Sequence, residues 1–141
     1  MVRAGASLDG VCILVVEDEF LVADILVKLI KLYGGTVAGP VASKEAALAI
    51  LETTSVDCAV LDVALSDGPC VSLAEELARR GINVTLATGY SGSGIPRELR
   101  HLPAFTKPAD LGALVDHLAG YCRAAPLQPL QNKSGQRELG G

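Results

Sequence analysis

The sequence predicts an α/β fold: a five-stranded parallel sheet in the order 2-1-3-4-5, wound on both faces by helices. Short, unbroken apolar runs alternate along the chain with segments whose apolar residues recur at helical spacing. The runs do not alternate polar with apolar, so they read as strands covered on both sides, as in a parallel sheet. The chain has 141 residues, 50% of them hydrophobic, which suits a single domain with one core.

VCILVV (Val11 to Val16) is the first strand, and Gly34-Gly35 stops the first helix, Phe20 to Tyr33. Leu21, Ile25 and Leu29, with Leu26 and Ile30, supply the apolar spacing of that helix. TVAGPV (Thr36 to Val41) is a second strand, placed at an edge by Pro40. Ser43 is set to cap a second helix through Leu51, with Glu45 in its first turn. CAVLD (Cys58 to Asp62) is the third strand, followed by a helix over Val71 to Arg80 that Gly81 closes. INVTLA (Ile82 to Ala87) is the fourth strand, and a Gly-rich loop and a short helical segment, Pro96 to His101, come after it. AFT (Ala104 to Thr106) is the fifth strand, and Asp110 can cap a last helix carrying Leu111, Leu114, Val115 and Leu118 on one face. Residues 1–10 read as an N-terminal extension and 11–123 as the domain. Residues 124–141, rich in Pro, Gln and Gly with no periodic face, read as a disordered tail.

Composition excludes several classes. The net charge is −4 and no Lys/Arg cluster stands out, which argues against a nucleic-acid surface. The apolar runs are too short to span a bilayer, and MVRAGASLDG has no core of signal-peptide length, so a cytoplasmic location is the default expectation. Cys12, Cys58, Cys70 and Cys122 lie far apart without a CxxC pair, so neither a disulfide framework nor a zinc site is expected.

Asp62 poses the functional question, because it ends an apolar strand where an unpaired charge is costly to bury. In a doubly wound sheet, ligands sit outside the carboxyl ends of the strands. Glu17 and Asp18 follow the first strand, Asp62 ends the third, Thr88 follows the fourth and Lys107 the fifth. Three carboxylates brought together repel one another unless a cation intervenes, and Mg²⁺ suits a site of few carboxylates plus water. A carboxylate flanked by metal, ammonium and hydroxyl suits phosphoryl transfer, with Asp62 as nucleophile. Asp67 reads as part of a DG turn, and His101 and His117 as surface residues.

ILVVEDE (Ile13 to Glu19), VLD (Val60 to Asp62), LATG (Leu86 to Gly89) and TKP (Thr106 to Pro108), in this order at strand ends, resemble the receiver domains of two-component response regulators. The resemblance covers about Cys12 to Tyr121 and implies a flavodoxin-like fold. It implies Asp62 as phosphoacceptor, Thr88 as switch hydroxyl, and Lys107 as the basic residue, with a cis bond to Pro108. It also implies Mg²⁺ held by Glu17, Asp18, Asp62 and the Ala64 carbonyl, with Glu17 acting mainly through water. The implied partners are a histidine kinase or phosphotransfer protein and a downstream protein target, with no DNA-binding domain and no membrane. ATGY (Ala87 to Tyr90) and AFTKP are similar to a subgroup with a Phe-Ala-Thr-Gly-aromatic-Tyr-like motif, associated with HWE-type histidine kinases; Leu86 stands in place of its Phe.

Where most receivers carry a switch aromatic, three positions before the Lys, this chain has Ala104, and alternation points Phe105 to the other face. The signal is therefore expected in the Tyr90 loop and short fourth helix, with the partner docking near Tyr90 and Phe105. Other readings are an aspartyl-phosphate phosphohydrolase on a similar sheet and a degenerate receiver acting only as a binding module. The residues after Asp62 and the Glu-Asp after the first strand do not match the DxDx[TV] pattern of haloacid-dehalogenase-type phosphohydrolases.

Overall fold

The computed structural model describes residues 7–89 and 94–124, with side chains to Tyr121. Tyr90, Gly92 and the expected tail after Ala124 lie outside the described residues. In chain order the elements are β1 (Cys12–Val16), α1 (Phe20–Leu32), β2 (Thr36–Val41), α2 (Lys44–Leu51), β3 (Cys58–Asp62), β4 (Ala64–Leu65) and β5 (Gly68–Pro69). They continue with α3 (Val71–Arg79), β6 (Asn83–Thr88), a 3-10 turn (Arg97–Leu99), β7 (Ala104–Thr106) and α4 (Leu111–Ala124).

Five strands form one parallel sheet in the order β2-β1-β3-β6-β7, which is 2-1-3-4-5 among the main strands. β4 and β5 make a separate antiparallel hairpin directly after Asp62. Alternation along the central strands builds two cores. Ile13, Val15, Cys58 and Val60 face α1 and α4 with Leu26, Ile30, Leu114 and Leu118. Leu14, Val16, Ala59 and Leu61 face α2 and α3 with Ala47, Leu73 and Leu77. The packed chain also begins earlier than Val11, since Leu8 is fully buried and donates its N–H to the Tyr33 carbonyl at 2.7 Å.

β2 carries an extra residue opposite β1: Leu14 pairs with Ala38 but Val16 pairs with Val41. The bulge falls at Gly39-Pro40, where Gly39 has φ 93° and a Cβ would lie 3.0 Å from the Val15 carbonyl oxygen and from the Val41 nitrogen. Beyond it, the Val41 carbonyl accepts the Glu17 N–H at 2.8 Å, which fixes the backbone where the acidic residues begin.

The apolar residues that give α1 its helical spacing do not all face inward: the buried stripe is Val22, Ala23, Leu26 and Ile30, leaving Phe20 81%, Leu21 73% and Ile25 40% exposed. α1 bears apolar residues on more of its circumference than the sheet and α4 can cover, so spacing alone cannot say which stripe faces inward. The expectation from cysteine spacing that no disulfide forms needs correction: Cys58 is disulfide-bonded, whereas Cys12 and Cys70 are free. Pairing depends on where the fold brings sulfurs together in space, which sequence spacing does not encode.

Asp67 does more than turn the chain. Its carboxylate accepts the Lys44 N–H at 2.9 Å and the Glu45 N–H at 3.3 Å, at the start of α2. Ser43 is the N-cap and accepts the Ala46 N–H at 3.1 Å. These amide donors hold the Asp67 carboxyl below its usual range, the Lys44 amide contributing most. Ser43→Ala should lower stability to chemical denaturation by about 1 kcal/mol, the usual effect of losing an N-cap oxygen. An unchanged midpoint would mean that Asp67 sustains the start of α2 without it.

Candidate functional site

The site lies at the carboxyl edge of the sheet, where β1, β3, β6 and β7 end together. Glu17 and Asp18 leave β1, Asp62 is the last residue of β3, Thr88 the last of β6, and Lys107 follows β7. The parallel register sets these positions: Leu61 lies beside Leu86, and Thr88 beside Thr106. The Lys107 N–H donates to the Thr88 carbonyl at 2.7 Å, extending the last ladder by one step. The Lys107–Pro108 peptide is cis, as the resemblance implied.

Lys107 is the hub. Its side chain is 5% exposed, and Nζ lies 3.2 and 3.1 Å from the two carboxylate oxygens of Glu17. The same Nζ is 3.2 Å from Asp62 Oδ2 and 3.4 Å from Glu19 Oε1. Glu17 also accepts the Glu19 N–H at 2.9 Å, and Asp62 Oδ1 accepts the Ala64 N–H at 3.3 Å. Asp18 is exposed at the rim, while Thr88 is buried and lines the same cavity of about 320 Å³ with Asp62, Ala64 and Lys107. Glu17, Asp18, Asp62, Ala64, Thr88 and Lys107 are thus brought to one place. Glu19 is the addition. Its sequence position, directly after the acidic pair, was the only available signal.

Burial pushes Glu17 up to about 7, with the Asp62 charge adding and the Glu19 amide and Lys107 opposing. Asp18 is raised by desolvation first and by the neighbouring Asp62 carboxyl next. Burial alone would lower Lys107, but Glu17 and Asp62 outweigh it, so the ammonium is raised and stays charged. One ammonium does not balance this many carboxylates, and without another cation the cluster retains a proton near neutrality. Oxygens of Glu17, Asp18 and Asp62 lie within 4.8 Å of one another, a donor set of hard oxygens that fits a divalent ion such as Mg²⁺.

A pH dependence follows. Glu17 titrates near 4.5 when unfolded and near 7 when folded, so between these values the folded protein holds the extra proton. The metal-free protein should therefore gain stability as pH falls through 7 towards 5, by up to about 3 kcal/mol. Asp67, held by the first amides of α2, and Glu76 of α3, held by the guanidinium groups of Arg80 and Arg79, have lowered values and withdraw their stabilisation only in more acidic solution. Saturating Mg²⁺ should flatten the slope, because the ion replaces the proton. A metal-free protein that is equally stable at both ends of this window would refute the assignment.

Phe105 sits on the α4 side of β7, its ring centroid 5.4 Å from that of His117, while Ala104 is exposed. This agrees with the alternation argument: no ring occupies the position three before Lys107. His117 is not a plain surface residue, since its ring also stacks on Tyr121 at 5.7 Å and its Nε2 is buried without a partner among the described residues. His101 is exposed. Among the described residues, no helix is long and apolar enough to cross a membrane.

The family model "Response regulator receiver domain" matches residues 13–119, spanning every strand end that forms the site. The chain belongs to the response regulator receiver domain family. SdrG from Sphingomonas melonis Fr1 is 35% identical with a TM-score of 0.68, over 77% of this chain and 94% of that one. The receiver domain protein (CheY-like) from Methanospirillum hungatei JF-1 shares the fold with a TM-score of 0.72 at 20% identity, covering 83% of this receiver and 97% of its own chain. The anti-anti-sigma factor PhyR from Bartonella quintana has a TM-score of 0.67 at 16% identity, and the match covers 83% of this receiver and 50% of PhyR. No curated protein matches the chain.

Proposed function

We propose that this receiver accepts a phosphoryl group on Asp62 from a histidine kinase or phosphotransfer protein, with Mg²⁺, and signals through protein contacts. The observation that carries the reading is Asp62 itself: a carboxylate only 8% exposed at the end of a buried strand, with the Lys107 ammonium 3.2 Å away. Asp62 attacks phosphorus through a carboxylate oxygen; the bond from phosphorus to the donor atom breaks, and the donor leaves with that electron pair. Lys107 exchanges part of its carboxylate contacts for the phosphoryl oxygens, and the Thr88 hydroxyl donates to another of them. Asp18, Asp62 and the Ala64 carbonyl, with Glu17 through water, would hold Mg²⁺, which neutralises charge on the transferring group when bound. The receiver then assists only its own phosphorylation and dephosphorylation and turns over no free substrate.

Docking of the donor is supported by the bare apolar surface beside the site. Phe20, Leu21, Ile25 and Pro108 line a depression that Glu19 separates from the Asp62 cavity. A partner seated there buries its own apolar surface while presenting a phosphohistidine to Asp62. For output, Thr88 moves towards the phosphoryl group, and Ala104 supplies no ring to follow it. The change then falls on the loop after Gly89, and the target docks on the face of Phe105 and α4. Intact mass after incubation with a small acyl phosphate and Mg²⁺ tests the reading: one added phosphoryl group, mapped to Asp62, supports it. Steady release of phosphate from phosphomonoesters without labelled protein would overturn it.

A further inference from the structure

We propose that Glu19 determines which phosphodonors can use this site, disfavouring small, freely diffusing anions relative to a docked protein. The inference rests on the phosphoacceptor reading and concerns a residue to which that reading gives no part. Glu19 occupies the N-cap position of α1 with extended backbone, φ −89° and ψ 110°, yet its side chain makes no capping hydrogen bond. Its carboxylate turns instead to Lys107 Nζ at 3.4 Å, while remaining 61% exposed. Among the described carboxylates within 4 Å of Lys107 Nζ, it alone faces solvent, standing between the cavity and the apolar depression.

Charge balance gives this placement its effect. Glu17, Asp18, Glu19 and Asp62 face one ammonium, and a bound divalent cation still leaves one negative charge uncompensated. Without Glu19 the metal-loaded site is neutral. A dianion such as acetyl phosphate approaches through the mouth that Glu19 lines and meets this excess charge directly. Glu19 also keeps Lys107 engaged with a third carboxylate, and the arriving phosphoryl oxygens must displace it. A protein donor meets the same charge but gains by covering Phe20, Leu21 and Pro108, and that contact lies against Glu19 on its other side. Exposed Glu19 is free to swing out as the partner arrives, whereas Glu17, 1% exposed in its side chain, is not.

The test compares labelling rates of the full chain with Mg²⁺, read by intact mass, for wild type, Glu19→Gln and Asp24→Asn. Asp24 lies on the same helix, paired with Lys28 at 3.0 Å and away from the cavity, and controls for overall charge. Acetyl phosphate and the less charged phosphoramidate serve as donors at low and high salt. Glu19→Gln should raise the acetyl phosphate rate about fivefold at low salt, with the gain shrinking as salt screens the mouth. The gain with phosphoramidate should be smaller, and Asp24→Asn should match wild type. Equal rates for Glu19→Gln and wild type at low salt, or a gain that ignores salt and donor charge, overturn the inference while leaving phosphorylation of Asp62 intact. No labelling of wild type by either donor overturns the phosphoacceptor reading, and this inference with it.

Discussion

Asp62→Asn is expected to abolish phosphoryl uptake and, in metal-free protein near pH 8, to raise stability. The two effects have opposite signs because Asp62 is placed for chemistry at the expense of electrostatics. Its carboxylate is nearly buried, beside Asp18 and close to Glu17, with a single ammonium among them. Asparagine keeps the shape and can still accept the Ala64 N–H, but its amide oxygen is not a nucleophile for phosphorus. Removing one charge from the cluster should stabilise the metal-free fold by about 1 kcal/mol. Intact mass and urea denaturation read the two effects. Uptake that persists at the wild-type rate would place the acceptor elsewhere, and a loss of stability would show that Asp62 is needed for packing.

Lys107→Met is expected to be the most damaging single change to the fold among the site residues. The side chain is 5% exposed and reaches Glu17, Asp62 and Glu19 at once, so its removal leaves Glu17 buried without a cation. Breaking a buried pair from one side costs about 3 kcal/mol near pH 8. The deficit should shrink near pH 6, since Glu17, already raised to about 7 by burial, moves higher without Lys107 and takes up a proton. Phosphoryl uptake should fall as well, because among the described residues no other cation at the site donates charge-assisted hydrogen bonds to the transferring oxygens. Denaturation at both pH values, with and without Mg²⁺, checks the sign; a deficit that grows in acid would be inconsistent with it.

Strand order and the site were legible in the sequence for the same reason. A parallel sheet puts every strand's carboxyl end on one edge, so an acid, a hydroxyl and a lysine following successive apolar runs had to meet. Glu19 escaped notice because a carboxylate at a helix start is ordinary, and only the fold shows that it turns to Lys107 instead of capping. The hairpin of Ala64–Leu65 and Gly68–Pro69 is too short for any period to register. The inward face of α1 could not be read either, since that depends on how much of its apolar girth the neighbours can cover, a tertiary quantity.

The tie between Asp67 and α2 bears on how this receiver can change over generations. Surface loops ordinarily absorb added or lost residues at little thermodynamic cost. The loop after Asp62 is different. Ser66 donates to the Ala42 carbonyl through both its N–H, at 3.2 Å, and its hydroxyl, at 2.8 Å, and the next residue holds the first amides of α2. Ala64, beside the acceptor, is thus only two residues from a fixed mooring. A single added residue would either release the mooring or shift the backbone next to Asp62. Drift in this loop is therefore constrained in count, and in letter at Ser66 and Asp67, so new partner preferences arise more readily by substitution at its other positions or by length changes elsewhere.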